Sequence, residues 1–255
     1  MTIYDHKSGL ILSKSIKIRN LRKINIKGGT VIDGFPTSGL ANAIASECFI
    51  HSLKTELVAV LDSAEFPALS VIHNTHPNFP ARIYANEDLK LAIFVSEMNV
   101  EHSLYYSISK VILHWAIENE CKLIISAAGL PNEGTDDNIK MPDPAVFAAA
   151  TTKRSIKRLE DVGIEHMSDG SVTGIPALLL NEGVLLDLDI IVLLVKVVKD
   201  IPDFRAAAIV SEAITRLIPG ASCDISSLLK EAEVVEKNLK RIRIHQTNPD
   251  VHIYG

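Results

Sequence analysis

The sequence predicts an α/β fold in three layers, α/β/α, with a mainly parallel central sheet and a long C-terminal helix. Three observations carry that expectation. Hydrophobic residues make up 47% of the 255 while aromatics make up only 5%, so the core must be assembled from Ile, Leu, Val and Ala, as where β-branched strands lie between helices. Short β-rich runs alternate with stretches of helical period, and a parallel connection needs a crossover of that kind to fold back over the sheet. No internal repeat and no low-complexity linker divides the chain, so residues 1–245 read as one domain and 246–255 as a flexible docking tail.

Thr30 to Asp33 reads as a strand, Gly34 to Gly39 as a turn, and Leu40 to Leu53 as a helix with Leu40, Ile44, Cys48 and His51 on one face. Leu57 to Leu61, Leu69 to His73, Ala81 to Tyr84 and Leu89 to Val95 read as strands interrupted by Pro67, Pro77 and Pro80. A helix from Glu101 to Asn119 carries Leu104, Ile108, Val111, Ile112 and Trp115 at helical spacing and leads into the apolar run Lys122 to Ser126. Residues 132–143, with Gly134, Asp136, Asp137 and Asn138, read as a mobile loop. After a short run from Val146 to Ala149 come a charged helix from about Thr152 to Asp161, a helix opened by Gly170, Gly174 and Pro176, and a strand at Ile190 to Val195.

The C-terminal segment differs in kind. Ile225, Leu228, Ala232, Val235, Leu239 and Ile242 recur at three and four residues, a heptad seam along a helix at 224–243 that Asp224 can cap. Glu233 with Lys237 and Glu236 with Lys240 form favourable pairs on its polar side. Such a seam either packs on its own domain or joins subunits.

Charge excludes some functions. With a formal net charge of -5 and no block of Lys and Arg, the chain has no electrostatic footprint for nucleic acid or an anionic membrane. Residues 1–15 do not resemble a secretory signal, and the apolar run Leu188 to Val198 contains Asp189 and Lys196 and is too short to span a bilayer as a helix. Cys48, Cys121 and Cys223 are odd in number, far apart and in no metal-ligand spacing; the expectation is a reducing, cytoplasmic setting in which they pack as small apolar groups.

No catalytic motif emerges. There is no nucleophile elbow, no zinc-protease helix pair and no nominated triad, so neither catalytic residue, metal nor cofactor is expected. Gly34, Phe35, Pro36, Thr37, Ser38 and Gly39 lie between strand and helix, where backbone amides and the helix dipole can hold an anion; they serve equally as a tight turn with Phe35 packed inward. That loop lacks a phosphate-loop lysine and the full dinucleotide spacing of glycines, although Asp62 stands roughly where an acidic partner would be sought. His73 and His76 are spaced for a metal without a third ligand near in sequence, and read as a surface loop. Asp62, Glu65, Glu87, Asp88 and Glu97 cluster near strand ends, where α/β enzymes place acids and bases and where solvated loop charges also fall.

The last residues have the parts of a docking tail. A polar stretch from His245 to Asp250 leads to Ile253, Tyr254 and Gly255: an apolar side chain and an aromatic to fill a pocket, and a carboxylate to pair with a cation. A frayed end is the plainer reading.

The runs from Val31 through Gly34-Phe35-Pro36 to Leu40, Asp62 to Pro67, Ala81 to Ala85 and Gly129 to Pro131 resemble, in order and spacing, the proteasome assembly chaperone family in its archaeal branch. Members usually carry more glycine where Thr37 and Ser38 stand, and another near Asn42 or Ala43. The resemblance implies a three-layer α/β/α fold, a homo-oligomer, and a chaperone role toward the proteasome core particle. It also implies that Ile253, Tyr254 and Gly255 are similar to the hydrophobic-tyrosine-any ending that enters pockets between α-ring subunits, with the carboxylate meeting a lysine. The competing reading is a nucleoside- or nucleotide-binding enzyme or ligand-binding protein using the Gly34–Gly39 loop.

Overall fold

Apolar runs in the middle of this chain are continuous rather than alternating, and a strand of that kind must be covered on both faces. In the computed structural model, which describes residues 16–73, 75–131, 145–197 and 201–234, those runs form the centre of a nine-stranded sheet. The elements are β1 (Lys17–Asn20), β2 (Thr30–Gly34), α1 (Ala41–Ser52), β3 (Glu56–Asp62), β4 (Val71–His73), β5 (His76–Asn78), β6 (Ala81–Asn86), β7 (Leu91–Ser96) and α2 (Tyr105–Glu118). They continue with β8 (Leu123–Pro131), β9 (Val146–Ala150), α3 (Lys153–Asp161), β10 (Glu165–His166), α4 (Ile175–Leu186), β11 (Asp189–Val197) and α5 (Phe204–Leu217), followed by helical residues 225–234, called α6.

The strand order is β1-β3-β6-β7-β2-β8-β11-β9-β10, and β4 and β5 form a separate hairpin. The middle four strands, β7-β2-β8-β11, are mutually parallel. Both wings bring in antiparallel pairing: β6 runs against β7 and β3, β3 against β1, and β9 against β11. The sheet is therefore mixed: parallel at the centre, antiparallel where each wing joins it, with the edge strand β10 parallel to β9. The short link from β6 to β7 holds no crossover helix, and without one the chain can only reverse.

Side chains alternate across the central strands. Val31, Phe94, Ile124 and Val192 meet one layer, of α2 and α4; Ile32, Ile93, Ile125 and Leu193 meet the other, of α1, α3 and α5. Helix α1 packs against α5, and α2 against α4. The nearly buried Lys110 Nζ, 2.6 Å from Glu182 Oε2, ties α2 to α4.

Helix starts follow capping chemistry. Thr152 Oγ1 accepts from Ser155 N at 3.1 Å, in a capping box that starts α3, and Asp203 Oδ1 accepts from Ala206 N at 2.9 Å to start α5. Asp224 opens α6, where the hydroxyls of Ser227 and Ser226 and the Ser227 amide hold its carboxyl down at about 2.

Two expectations change. Helix α5 falls where none was read, and Cys48 and Cys223 form a disulfide, with Cα atoms 5.5 Å apart, joining α1 to the start of α6. A sequence separation of 175 hid that pairing; the fold supplies the proximity. Cys121 is free and half-buried, and burial pushes its thiol up to about 11. In the heptad seam, Leu228 and Ala232 are buried on the chain's own domain and Ile225 is half-buried there. Val235, Leu239 and Ile242, the helix beyond 234, the 132–143 loop and the tail with Ile253, Tyr254 and Gly255 lie outside the described residues.

Candidate functional site

From the end of β2 the chain enters α1 and crosses one face toward β3, whereas from the end of β7 it enters α2 and crosses the other face toward β8. Diverging crossovers leave a crevice outside the carboxyl ends of the strands, the usual ligand position in open α/β sheets. Here it is a cavity of about 900 Å³, floored by Gly34, Pro36 and the Val95–Asn99 segment and walled by α1, Phe204 and the start of α6.

The Gly34–Gly39 loop forms one lip of the crevice and is packed into the sheet ends. Asn42 Nδ2 donates to the carbonyls of Asp33 at 2.6 Å and Phe35 at 3.0 Å, and Phe35 is buried. Gly39 has φ +71°, and its carbonyl accepts from Asp203 N at 2.8 Å. A Cβ on Gly34 would lie 2.2 Å from the Phe94 carbonyl, so only glycine lets β2 and β7 come this close. Just inside the lip, Asp33 is fully buried; its Oδ2 accepts from Ser126 Oγ at 2.7 Å and its Oδ1 from Phe35 N at 3.0 Å. Burial pushes its carboxyl up to about 6 despite those two bonds.

The charged centre of the crevice wall was not foreseen. Arg82 of β6 is 1% exposed, a long cation laid under α1 on the face that Val95 also occupies. Its guanidinium pairs with Glu97 just beyond β7, lies 3.8 Å from Glu47 of α1, and donates to the Phe79 carbonyl at 3.1 Å. His73 Nε2 stands 3.9 Å from Glu97, and His51 Nε2 stands 3.8 Å from Glu47. Burial pushes the Glu47 carboxyl up, Arg82 opposes that push, and Glu97 adds to it. A signal that could have pointed here is the i, i+4 spacing of Glu47 and His51; nothing in one dimension points from either to Arg82.

The other sequence candidates scatter. Asp62 pairs with Arg19 at the β1 edge, Glu65 lies in the turn after β3, and Glu87 and Asp88 fall in the β6–β7 turn, with Glu87 accepting from Asn25 N. Only Glu97 reaches the crevice. His73 and His76 face each other across the exposed β4–β5 hairpin, and among the described residues no cluster of His, Cys, Asp or Glu is arranged to hold a metal ion.

A doubly wound α/β/α domain with antiparallel wings and a crevice at the switch point defines the structural class. The chain belongs to the PAC2 family, whose model matches residues 31–243. Among solved structures it is similar to PbaA of Pyrococcus furiosus, described as an archaeal homolog of proteasome-assembly chaperone. That match has 28% identity, covers 92% of this chain and 94% of the other, and has a TM-score of 0.78. PbaB of the same organism, described as an archaeal proteasome activator, shares the fold at 24% identity and TM-score 0.77, over 90% of this chain and 99% of that one. An uncharacterized protein of Methanocaldococcus jannaschii, MJ0106, is 26% identical over 89% of this chain and 91% of its own length.

Proposed function

We propose that this protein acts on the proteasome core particle as an assembly chaperone, binding α-ring subunits through its C-terminal residues Ile253, Tyr254 and Gly255. The observation that carries the reading is the similarity, along 92% of the chain, to an archaeal homolog of proteasome-assembly chaperone. On this reading Ile253 and Tyr254 fill a pocket between ring subunits, and the carboxylate of Gly255 meets a lysine there. A cytoplasmic site of action follows from that partner, with the Cys48–Cys223 bond as an intracellular disulfide. Among the described residues no helix is long and apolar enough to cross a membrane.

Self-association belongs to the same proposal. Helix α4 is apolar nearly all round, and Val184 and Leu185 stand 65% and 76% exposed, a face that a second copy can cover. The nucleotide-binding alternative is disfavoured by charge: among the described residues Glu47, Glu97 and Asp224 line the crevice and no Lys or Arg does, so a phosphate there would meet carboxylates.

The test titrates purified α rings with the wild type, Tyr254→Ala and a form extended beyond Gly255. A pocket anchor commonly contributes about 2 kcal/mol, so Tyr254→Ala should weaken each site roughly thirtyfold, and the extension should do similar damage. Equal affinities for all three would overturn the docking tail; no binding by any would overturn the partner.

A further inference from the structure

We propose that the crevice seats a small organic cation, a molecule with an apolar body and one ammonium or guanidinium group, with its charge against Glu47 and Glu97 and its body between α1 and α6. This goes beyond the reading above, which uses neither the crevice nor a ligand.

Shape and lining come first. The cavity, about 900 Å³, falls within the roughly 300–1,000 Å³ typical of small-molecule sites. Its walls are apolar over most of their extent, with Leu40, Ile44, Met98, Phe204 and Leu228 offering a dry seat for an aliphatic or aromatic body.

Charge then chooses the ligand. Glu47 and Glu97 both line the cavity, and both lean on one guanidinium, that of Arg82. Arg82 is itself 1% exposed and does not line the cavity, so its charge is committed behind the wall. One cation between two carboxylates leaves a unit of negative charge facing the cavity, and Asp224 adds another at the rim. Among the described residues the imidazoles of His51 and His73 are the remaining titratable groups facing the pair, each at almost 4 Å from a carboxylate. The upward push on the Glu47 carboxyl shows that Arg82 alone does not compensate its burial. A ligand ammonium beside Glu47 completes the pairing that a partly buried carboxylate needs. An anion of the same size would meet three carboxylates and is rejected.

The test uses the full chain with its disulfide intact, at pH 8, above the ordinary imidazole range of about 6.5. Octylammonium, 1-octanol and octanoate, three probes with the same body, are titrated by calorimetry, with amide shifts in two-dimensional NMR locating the site. Octylammonium should bind tightest and octanoate weakest. Glu47→Gln, which keeps the side chain's shape and leaves Arg82 paired with Glu97, should weaken octylammonium roughly tenfold while leaving 1-octanol within about twofold. Ala43→Trp, which fills the cavity from α1, should abolish binding of both. Equal binding of the three probes, no binding of octylammonium, or its undiminished binding to the Trp variant would overturn the proposal. So would binding only of an acetylated leucyl-lysyl-leucinamide, which would make the crevice a peptide groove.

Discussion

Replacing Asp33 by Asn should stabilise the protein at neutral pH and leave it almost unchanged in acid. The carboxyl is fully buried at the end of β2, with Ser126 Oγ and Phe35 N as its donors, and burial pushes it from the ordinary 3.8 to about 6. Between those values the folded protein keeps a proton that the unfolded chain releases. The native state then binds more protons than the unfolded state, so unfolding free energy falls as pH rises through the window. The favourable contribution is fully present below 3.8 and lost above about 6, and the gap corresponds to about 3 kcal/mol at roughly 1.4 kcal/mol per tenfold in proton affinity. Asn has the same shape, carries no charge, can accept from Phe35 N and can donate to Ser126 Oγ. Urea unfolding of both proteins from pH 3.5 to 7.5 at constant ionic strength isolates the effect, because other titrating groups cancel in the difference. The Asn variant should gain about 3 kcal/mol on the wild type across the window. A difference that stays flat within about 0.5 kcal/mol, or that shrinks as pH rises, would refute the reasoning.

Arg82→Ala should lower the unfolding free energy by about 3 kcal/mol or more at pH 7, since it strands Glu97 and Glu47 and empties the space beneath α1; chemical denaturation measures it, and a loss under about 1 kcal/mol would show the cluster to be solvated. Cys48→Ser should lower thermal stability and abolish its response to dithiothreitol. For a ring of this separation, 175, chain entropy sets the loss near 5 kcal/mol at most, and a dithiothreitol response that persists in the variant would exclude the Cys48–Cys223 pair as its source. Val184→Glu combined with Leu185→Glu should reduce the mass found by light scattering if α4 joins copies, and an unchanged mass would place self-association elsewhere.

The parallel centre of the sheet was legible because its strands are buried on both faces and leave runs such as Leu91 to Val95 and Ile190 to Val195 with hardly a polar residue. The antiparallel edges were less so. Strand β1 is a short, mostly exposed edge strand whose only internal signal is Ile18. Helix α5 escaped because its buried face is built from Ala206, Ala207, Ala208 and Ala213 around Val210 and Ile214, and small residues blur the helical period; the Asp203 cap was the signal that could have found it. The crevice was half visible. The Gly34–Gly39 lip and Glu97 stood out, yet Arg82 looks in the sequence like one more charge in a strand, and only the register that sets it beside Val95 brings Glu97 and Glu47 onto one guanidinium. Pairings of that kind are fixed by three-dimensional register, which periodicity does not encode.

The bond between Cys48 and Cys223 also decides how this protein bears traction. A partner that grips the C-terminal residues loads α6 first; once that helix has peeled away, the load passes from Asp224 to its neighbour Cys223 and through two sulfur atoms into α1 and the sheet it covers. Peeling that helix away therefore need not release the grip. Drawn from both ends, the oxidised chain can lengthen only by the residues before Cys48 and after Cys223, and everything between them stays a closed loop until a reductant cuts it. In mechanical terms the stretch from Cys48 to Cys223 is a sealed ring, and the thiol chemistry around it sets how far it can be stretched.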